Sequence, residues 1–180
     1  MNAPIDPVLG TIAACEGGFW ALLALGLCLR YLLRRRRMSV LVLGAVPLLD
    51  VALLVAVGVD LARGGEVGFA HRLAPIYLGC TVMFAGPIIR WADARFAYRF
   101  GGGPIPAKVP PRGPERRRKE WVDFARWLGA AAIATALTLA LGYTVADAPQ
   151  RSGLFGVFGS LGVVTAIWLL TGPVWYSGRS

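Results

Sequence analysis

The sequence predicts an all-α integral membrane protein of about five transmembrane helices, with its N-terminus outside and its C-terminus in the cytoplasm. Three observations carry this expectation. The 180 residues are 56% hydrophobic and 16% charged, with a mean hydropathy of +0.59, whereas a soluble domain runs about 45–50% apolar and about 25% charged. Apolar stretches of roughly 20 residues recur, each long enough for a helix to cross about 30 Å of hydrocarbon. Basic residues gather on alternate loops, 16 of 19 of them on one side.

Helices are the expected form because lipid offers backbone groups no partner outside their own segment. The ten-residue alternating pattern of a barrel strand is missing. The first span covers residues 8–33 and ends at Arg34, Arg35, Arg36 and Arg37. Residues 1–7 carry no basic side chain, so a cleaved secretory signal is not expected. The run IAAC, residues 12–15, resembles a lipoprotein-processing box, but too few apolar residues precede it, and the first helix is expected to stay uncleaved. The second span covers 38–62 and the third 73–99, following His71 and Arg72. Beyond Ile89 the third keeps helical composition in RWADARFAYRF, whose rings and guanidinium groups suit the headgroup layer. Residues 101–120 form a Pro/Gly-rich basic linker, the fourth span covers 121–146, and the fifth covers 153–176. The whole chain, 1–180, reads as one membrane domain.

Orientation follows from the loops. Arg30, Arg34–Arg37, Arg90, Arg95, Arg99, Lys108, Arg112, Arg116, Arg117, Arg118, Lys119, Arg126 and Arg179 share one side; Arg63, Arg72 and Arg151 lie on the other. The positive-inside rule makes the crowded side cytoplasmic. Arg34, Arg35, Arg36, Arg37, Arg95, Arg99, Arg116, Arg117, Arg118 and Lys119 are therefore the expected contacts with anionic headgroups of the bilayer. Seventeen arginines against two lysines, with abundant Ala, Gly and Val, point to a GC-rich bacterial genome, and the cytoplasmic membrane of a bacterium is the expected location.

Small residues mark helix contacts. Ala130, Ala134, Thr138 and Gly142 step by four along the fourth span, and Ser152, Gly156 and Ser160 along the fifth. Such strips let backbones approach closely in lipid, so the two spans are expected to pair through them as an antiparallel hairpin, joined by about six residues. On that reading Gly156→Leu or Ala134→Leu weakens the pair far more than Leu154→Ala. The same faces offer a docking edge for a protein partner or a second copy. The glycine run around Gly156 and Gly159 lacks the Lys-Ser/Thr ending of a phosphate loop.

Asp50 interrupts GAVPLLDVALLVAVGVD, the longest test of the membrane reading. Counting about 1.5 Å per residue places it roughly 18 Å above the inner edge, near the middle of the bilayer. Tyr77, Thr81, Thr135 and Thr165 fall at similar depth and complete a candidate intramembrane polar site. A neutral Asp50 hydrogen-bonded in that layer is the cheapest arrangement. Glu16, Asp60 and His71 form a second polar group near the outer boundary. Asp50 is either interhelical glue or a protonatable, cation-binding group on a pathway.

No catalytic residue, metal site, cofactor or nucleic-acid partner is expected. One histidine cannot supply two axial haem ligands, Cys15, Cys28 and Cys80 show no metal or redox spacing, and around Ser160 a phenylalanine stands where a hydrolase elbow needs glycine. Three classes follow. A proton- or cation-linked transport element leads, an accessory or scaffold subunit stands close behind, and a membrane enzyme comes last for want of a constellation.

Overall fold

The computed structural model describes residues 46–100, 102–106 and 113–177, with 17, 18, 21, 25 and 26 as isolated helical positions. The described residues contain helices and no strands. Three helical stretches, Phe69–Arg99, Pro114–Thr144 and Ala148–Val174, are long and apolar enough to cross a membrane. Apart from those isolated positions, the first span lies outside the described residues, as does the start of the second.

Helix α1, Val46–Ala62, places Asp50, Leu53, Val57 and Leu61 on its buried face, at spacings of three and four. It stops at Gly64, whose φ of 83° only glycine adopts easily, and whose N–H donates to the carbonyl of Leu61. Gly65 follows with its N–H on the Asp60 carbonyl at 3.0 Å. A Cβ there would lie 2.7 Å from Asp60 Cγ, so no side chain fits the turn.

Helix α2, Phe69–Phe100, is 32 residues long, about 48 Å, and overreaches the hydrocarbon. The expected extension through RWADARFAYRF is thus one helix with the span before it. Pro75 and Pro87 sit inside it, and each removes one ladder bond. Helix α3, Pro114–Thr144, begins seven residues before the expected start at 121. Pro114 is the reason: at the first helical position its missing N–H costs nothing and its φ is already helical. Residues 114–120 of the expected basic linker thus belong to the helix, and Arg116 to Lys119 ride on the first turns of α3.

The last span is built in pieces. Asp147 caps α4, Ala148–Phe155, in a capping box with Gln150. Gly156 keeps right-handed helical angles, so α5, Val157–Leu169, continues the same rod. A π turn, Leu170–Val174, carries Pro173 and leads into α6, Trp175–Ser177. Three residues, 145–147, separate α3 from α4, against about six expected.

Helices α2 and α3 form the densest contact; the last span also packs on α3, but not through its own small-residue strip. A Cβ on Gly79 of α2 would run into the backbone of Ala130, whose carbonyl carbon is 3.2 Å away. Ala130, Ala134 and Thr138 are each 1% exposed or less. Ala130 of the strip therefore receives α2, whereas a Cβ on Gly142, the last member of the strip, would lie 2.8 Å from the Phe155 ring of α4. The strip on the last span is exposed at Ser152, Gly156 and Ser160, while the ridge of Leu154, Val157 and Leu161 is buried instead. Gly159 and Gly162 would meet nothing within 4 Å if given a Cβ. Between α3 and α5 the contact is aromatic. Trp127 and Trp168 stack at 5.7 Å, Phe84 of α2 stacks on Trp168 at 6.1 Å, and the Trp127 indole donates to Thr165 Oγ1 at 2.9 Å. Four-residue spacing of small residues permits close approach, but a large aromatic surface buries more area, and the last span docks by its aromatic ridge.

Candidate functional site

Asp50 is 2% exposed on the inward face of α1. One of its oxygens takes the hydroxyl of Thr81 on α2 as its side-chain partner, and Oδ2 is buried with no hydrogen-bond partner. Thr81 is itself buried, and Tyr77 lies one turn earlier on α2, half-buried. Of the residues expected at one depth, Asp50, Thr81 and Tyr77 lie along α1 and α2, and Thr135 and Thr165 lie apart from them. Thr165 belongs to a different bond set: it accepts from Trp127 and donates to the Leu161 carbonyl at 2.7 Å. Thr135 is half-buried on α3 and joins none of these bonds. Thr138, one turn further along α3, is 1% exposed with an unpartnered hydroxyl.

The outer polar group resolves into a pair. His71 is 1% exposed, and its Nε2 lies 2.9 Å from Asp60 Oδ2. Its Nδ1 accepts the backbone N–H of Gly68 at 3.3 Å. An acceptor nitrogen carries no proton, so the ring is neutral and Nε2–H donates to Asp60. His71, expected near the outer boundary, is buried within the protein. Glu16 lies outside the described residues.

Beside this pair sits a residue the sequence reading passed over. Gln150 is buried; its amide donates to the carbonyls of Leu61 at 3.1 Å and Gly65 at 2.9 Å, and its oxygen accepts from Asp147 N–H at 2.9 Å. One side chain thereby ties the end of α1, the loop after it and the start of α4. The spacing Asp147-x-x-Gln150 was the available signal. An open depression of about 350 Å³ lies alongside, lined by Gly64, Gly65, Glu66, Val67, Asp147, Pro149, Gln150 and Gly153.

At the opposite end the basic residues differ in availability. Arg116 pairs with Glu120 at 2.6 Å and lies over the Tyr176 ring at 4.9 Å. Lys119 and Arg126 both hold Asp123, at 2.5 and 2.6 Å. Arg95 lies over Trp91 at 4.2 Å. Arg99, Arg117 and Arg118 are exposed and form no ion pair among the described residues. Arg34, Arg35, Arg36 and Arg37 fall outside them. Glu120 is a second residue the sequence left unread: only 9% exposed, it faces Gly172 in the π turn, where a Cβ would sit 3.1 Å from Glu120 Oε2. No group of three or more metal-ligating side chains occurs among the described residues.

The chain is similar to the uncharacterized membrane protein YmcC of Bacillus subtilis (strain 168), with 31% identity over 154 residues, covering 81% of this chain and 78% of that protein. No family model matches the chain, and no solved structure does. With three helices fit to cross a bilayer, the similarity identifies a transmembrane protein of the bacterial cell membrane.

Proposed function

The chain belongs to the same family as the membrane protein YmcC, and we propose that it is a proton- or cation-linked transport element whose exchanging group is Asp50. We read residues 1–180 as one membrane domain of five spans, N-terminus outside and C-terminus cytoplasmic. The 16-to-3 division of basic residues supports this orientation. A cysteine placed near Pro4 should then label from outside intact cells and one near Lys108 should not; labelling at Lys108 alone reverses the topology.

The observation that carries the transport reading is the buried, unpartnered Oδ2 of Asp50. A carboxyl serving only as glue between helices would use both oxygens, because an idle buried acceptor costs about 1–3 kcal/mol. An acid at this depth with a free oxygen, a hydroxyl beside it at Thr81 and Tyr77 one turn away suits a group that takes up and releases a small cation. Thr135 and Thr165 are the more distant members of the proposed layer. The test is flux in proteoliposomes carrying an internal pH or cation indicator. Asp50→Asn should abolish flux while detergent stability is kept, since an amide cannot ionise. Equal flux in the variant overturns the reading and leaves Asp50 structural.

A second reading, an accessory or scaffold subunit, is favoured by Arg99, Arg117 and Arg118, exposed and without an ion pair among the described residues, and by the exposed face Ser152, Gly156 and Ser160. The arginines suit anionic headgroups, and the small face suits a helix of a protein partner or a second copy. Flotation with phosphatidylglycerol vesicles separates these contacts. Arg117→Gln with Arg118→Gln should weaken dependence on the anionic lipid more than Arg116→Gln with Lys119→Gln, whose native charges are already balanced.

A further inference from the structure

The loop between α1 and α2 is fastened in two halves by different chemistry. Its first half is held by backbone and amide bonds: Gly64 N–H to Leu61, Gly65 N–H to Asp60, and Gln150 to the Gly65 carbonyl. None of these titrates. Its second half, residues 66–68, is held at Gly68 by the N–H bond to His71 Nδ1. Val67, between them, closes over the start of the last span, where a Cβ on Gly153 would lie 3.0 Å from its own Cβ.

We propose that His71 and Asp60 form an acid-sensitive latch: protonation of His71 releases residues 66–68 and opens the depression beside Gln150. The geometry dictates the direction. A neutral ring accepts from Gly68 and donates to Asp60. An imidazolium is a donor at both nitrogens, so its Nδ1–H meets the Gly68 N–H and that bond is lost. The Nε2–H bond to Asp60 becomes charge-assisted and stronger. The protonated side chain therefore keeps its hold on α1 and lets go of the loop. Imidazole is the side chain that ordinarily changes charge between about pH 5 and 8, and His71 is the only histidine in the chain.

Among the described residues, the charged surroundings leave the pair in control. Asp60 is the charged contact from α1. The loop contributes Arg63 and Glu66, both exposed, and α2 itself Arg72, also exposed. Helix α3 carries no charged side chain from 127 to 144. From α4, Asp147 is committed as a helix cap, and Arg151 is held by the Gly142 carbonyl at 2.8 Å and the Tyr143 ring at 4.9 Å. The latch is independent of Asp50 and of any transport, so it stands or falls separately from that reading.

The test is nitrogen NMR and amide exchange on the isotope-labelled full chain in lipid nanodiscs, where a single imidazole makes assignment direct. At about pH 7.5 the ring should be the Nε2–H form with Gly68 protected. Between about pH 7.5 and 4.5 the protection factors of Val67 and Gly68 should fall at least about tenfold, with the midpoint of the ring's own titration, while Gly65 stays protected. His71→Gln accepts from Gly68 and donates to Asp60 at every pH, and its loop should stay protected throughout. Asp60→Asn is the second variant: its amide oxygen still accepts from Nε2–H, so loop and ring midpoints should still coincide. Flat protection at Gly68 in the native chain, a loop midpoint apart from that of the ring, or the same loss in His71→Gln overturns the latch.

Discussion

Helix α3 and the last span carry the same kind of small-residue strip, and they use it in opposite ways. On α3, Ala130, Ala134 and Thr138 are buried, and Ala130 lies so close to α2 that Gly79 cannot carry a Cβ. On the last span, Ser152, Gly156 and Ser160 face outward, and the helix docks through Leu154, Val157, Leu161 and Trp168. The difference teaches that a small-residue strip licenses close approach without selecting the partner. Selection comes from what the rest of each surface can bury. Helix α3 meets a glycine on α2 at the matching height, whereas the last span meets the rings of Trp127 and Phe84.

The largest expected effect tests the buried ridge. Leu154 is fully buried, so Leu154→Ala should destabilise by about 3 kcal/mol through lost transfer energy and a cavity. This reverses the ranking that spacing alone implies, in which Gly156→Leu is far worse. Melting in detergent monitored by near-ultraviolet dichroism decides it; a Gly156→Leu variant weaker than Leu154→Ala restores the small-residue hairpin.

Next comes the sealed side. Gly79→Ala places a methyl against the Ala130 backbone, which cannot rotate away, and should cost about 2 kcal/mol as an overpacking strain. An unchanged melting midpoint would mean that α2 and α3 are held elsewhere. The aromatic contact gives a smaller signal. Trp127→Phe keeps a ring beside Trp168 but loses the bond to Thr165, an effect of about 1 kcal/mol. Thr165→Val should lose nearly the same amount, and the double variant no more than either alone; additive losses would show that the two side chains act separately.

The smallest effect is opposite in sign. Gly162 faces open space, so Gly162→Ala should leave the fold intact and stabilise it by about 0.5 kcal/mol through helix propensity. A loss of stability or of a higher oligomer on this change would reveal a helix seated on the exposed face.

Much of this was legible from residues alone, and for definite reasons. Residues 73–89 read as a span because an uncharged, largely apolar run of that length leaves helix as the lipid-compatible backbone, and α2 covers them. Asp50 stood out because a carboxylate inside such a run is costly anywhere, and the fold buries it. The early start of α3 at Pro114 was hidden by the prolines and glycines around it, although proline at a first helical position extends a helix backward as readily as it ends one. His71 and Asp60 are eleven residues apart across a turn whose shape rests on Gly64 at positive φ and Gly65 without a Cβ. No spacing rule joins them.

Composition and hydropathy determined the class of molecule and the approximate places of the described spans, because these depend on transfer energies that each residue carries by itself. Which helix faces which, which arginines are already balanced, and that Asp50 meets Thr81 rather than Thr165 were decided only in the tertiary structure. Those outcomes depend on rotation about each helix axis, and rotation is settled by the pairwise fit of surfaces: a glycine against a backbone, an indole against an indole, one amide reaching two carbonyls. In lipid no hydrophobic gradient between helices sets that rotation beforehand, so it is fixed by contacts that exist only once the helices have met.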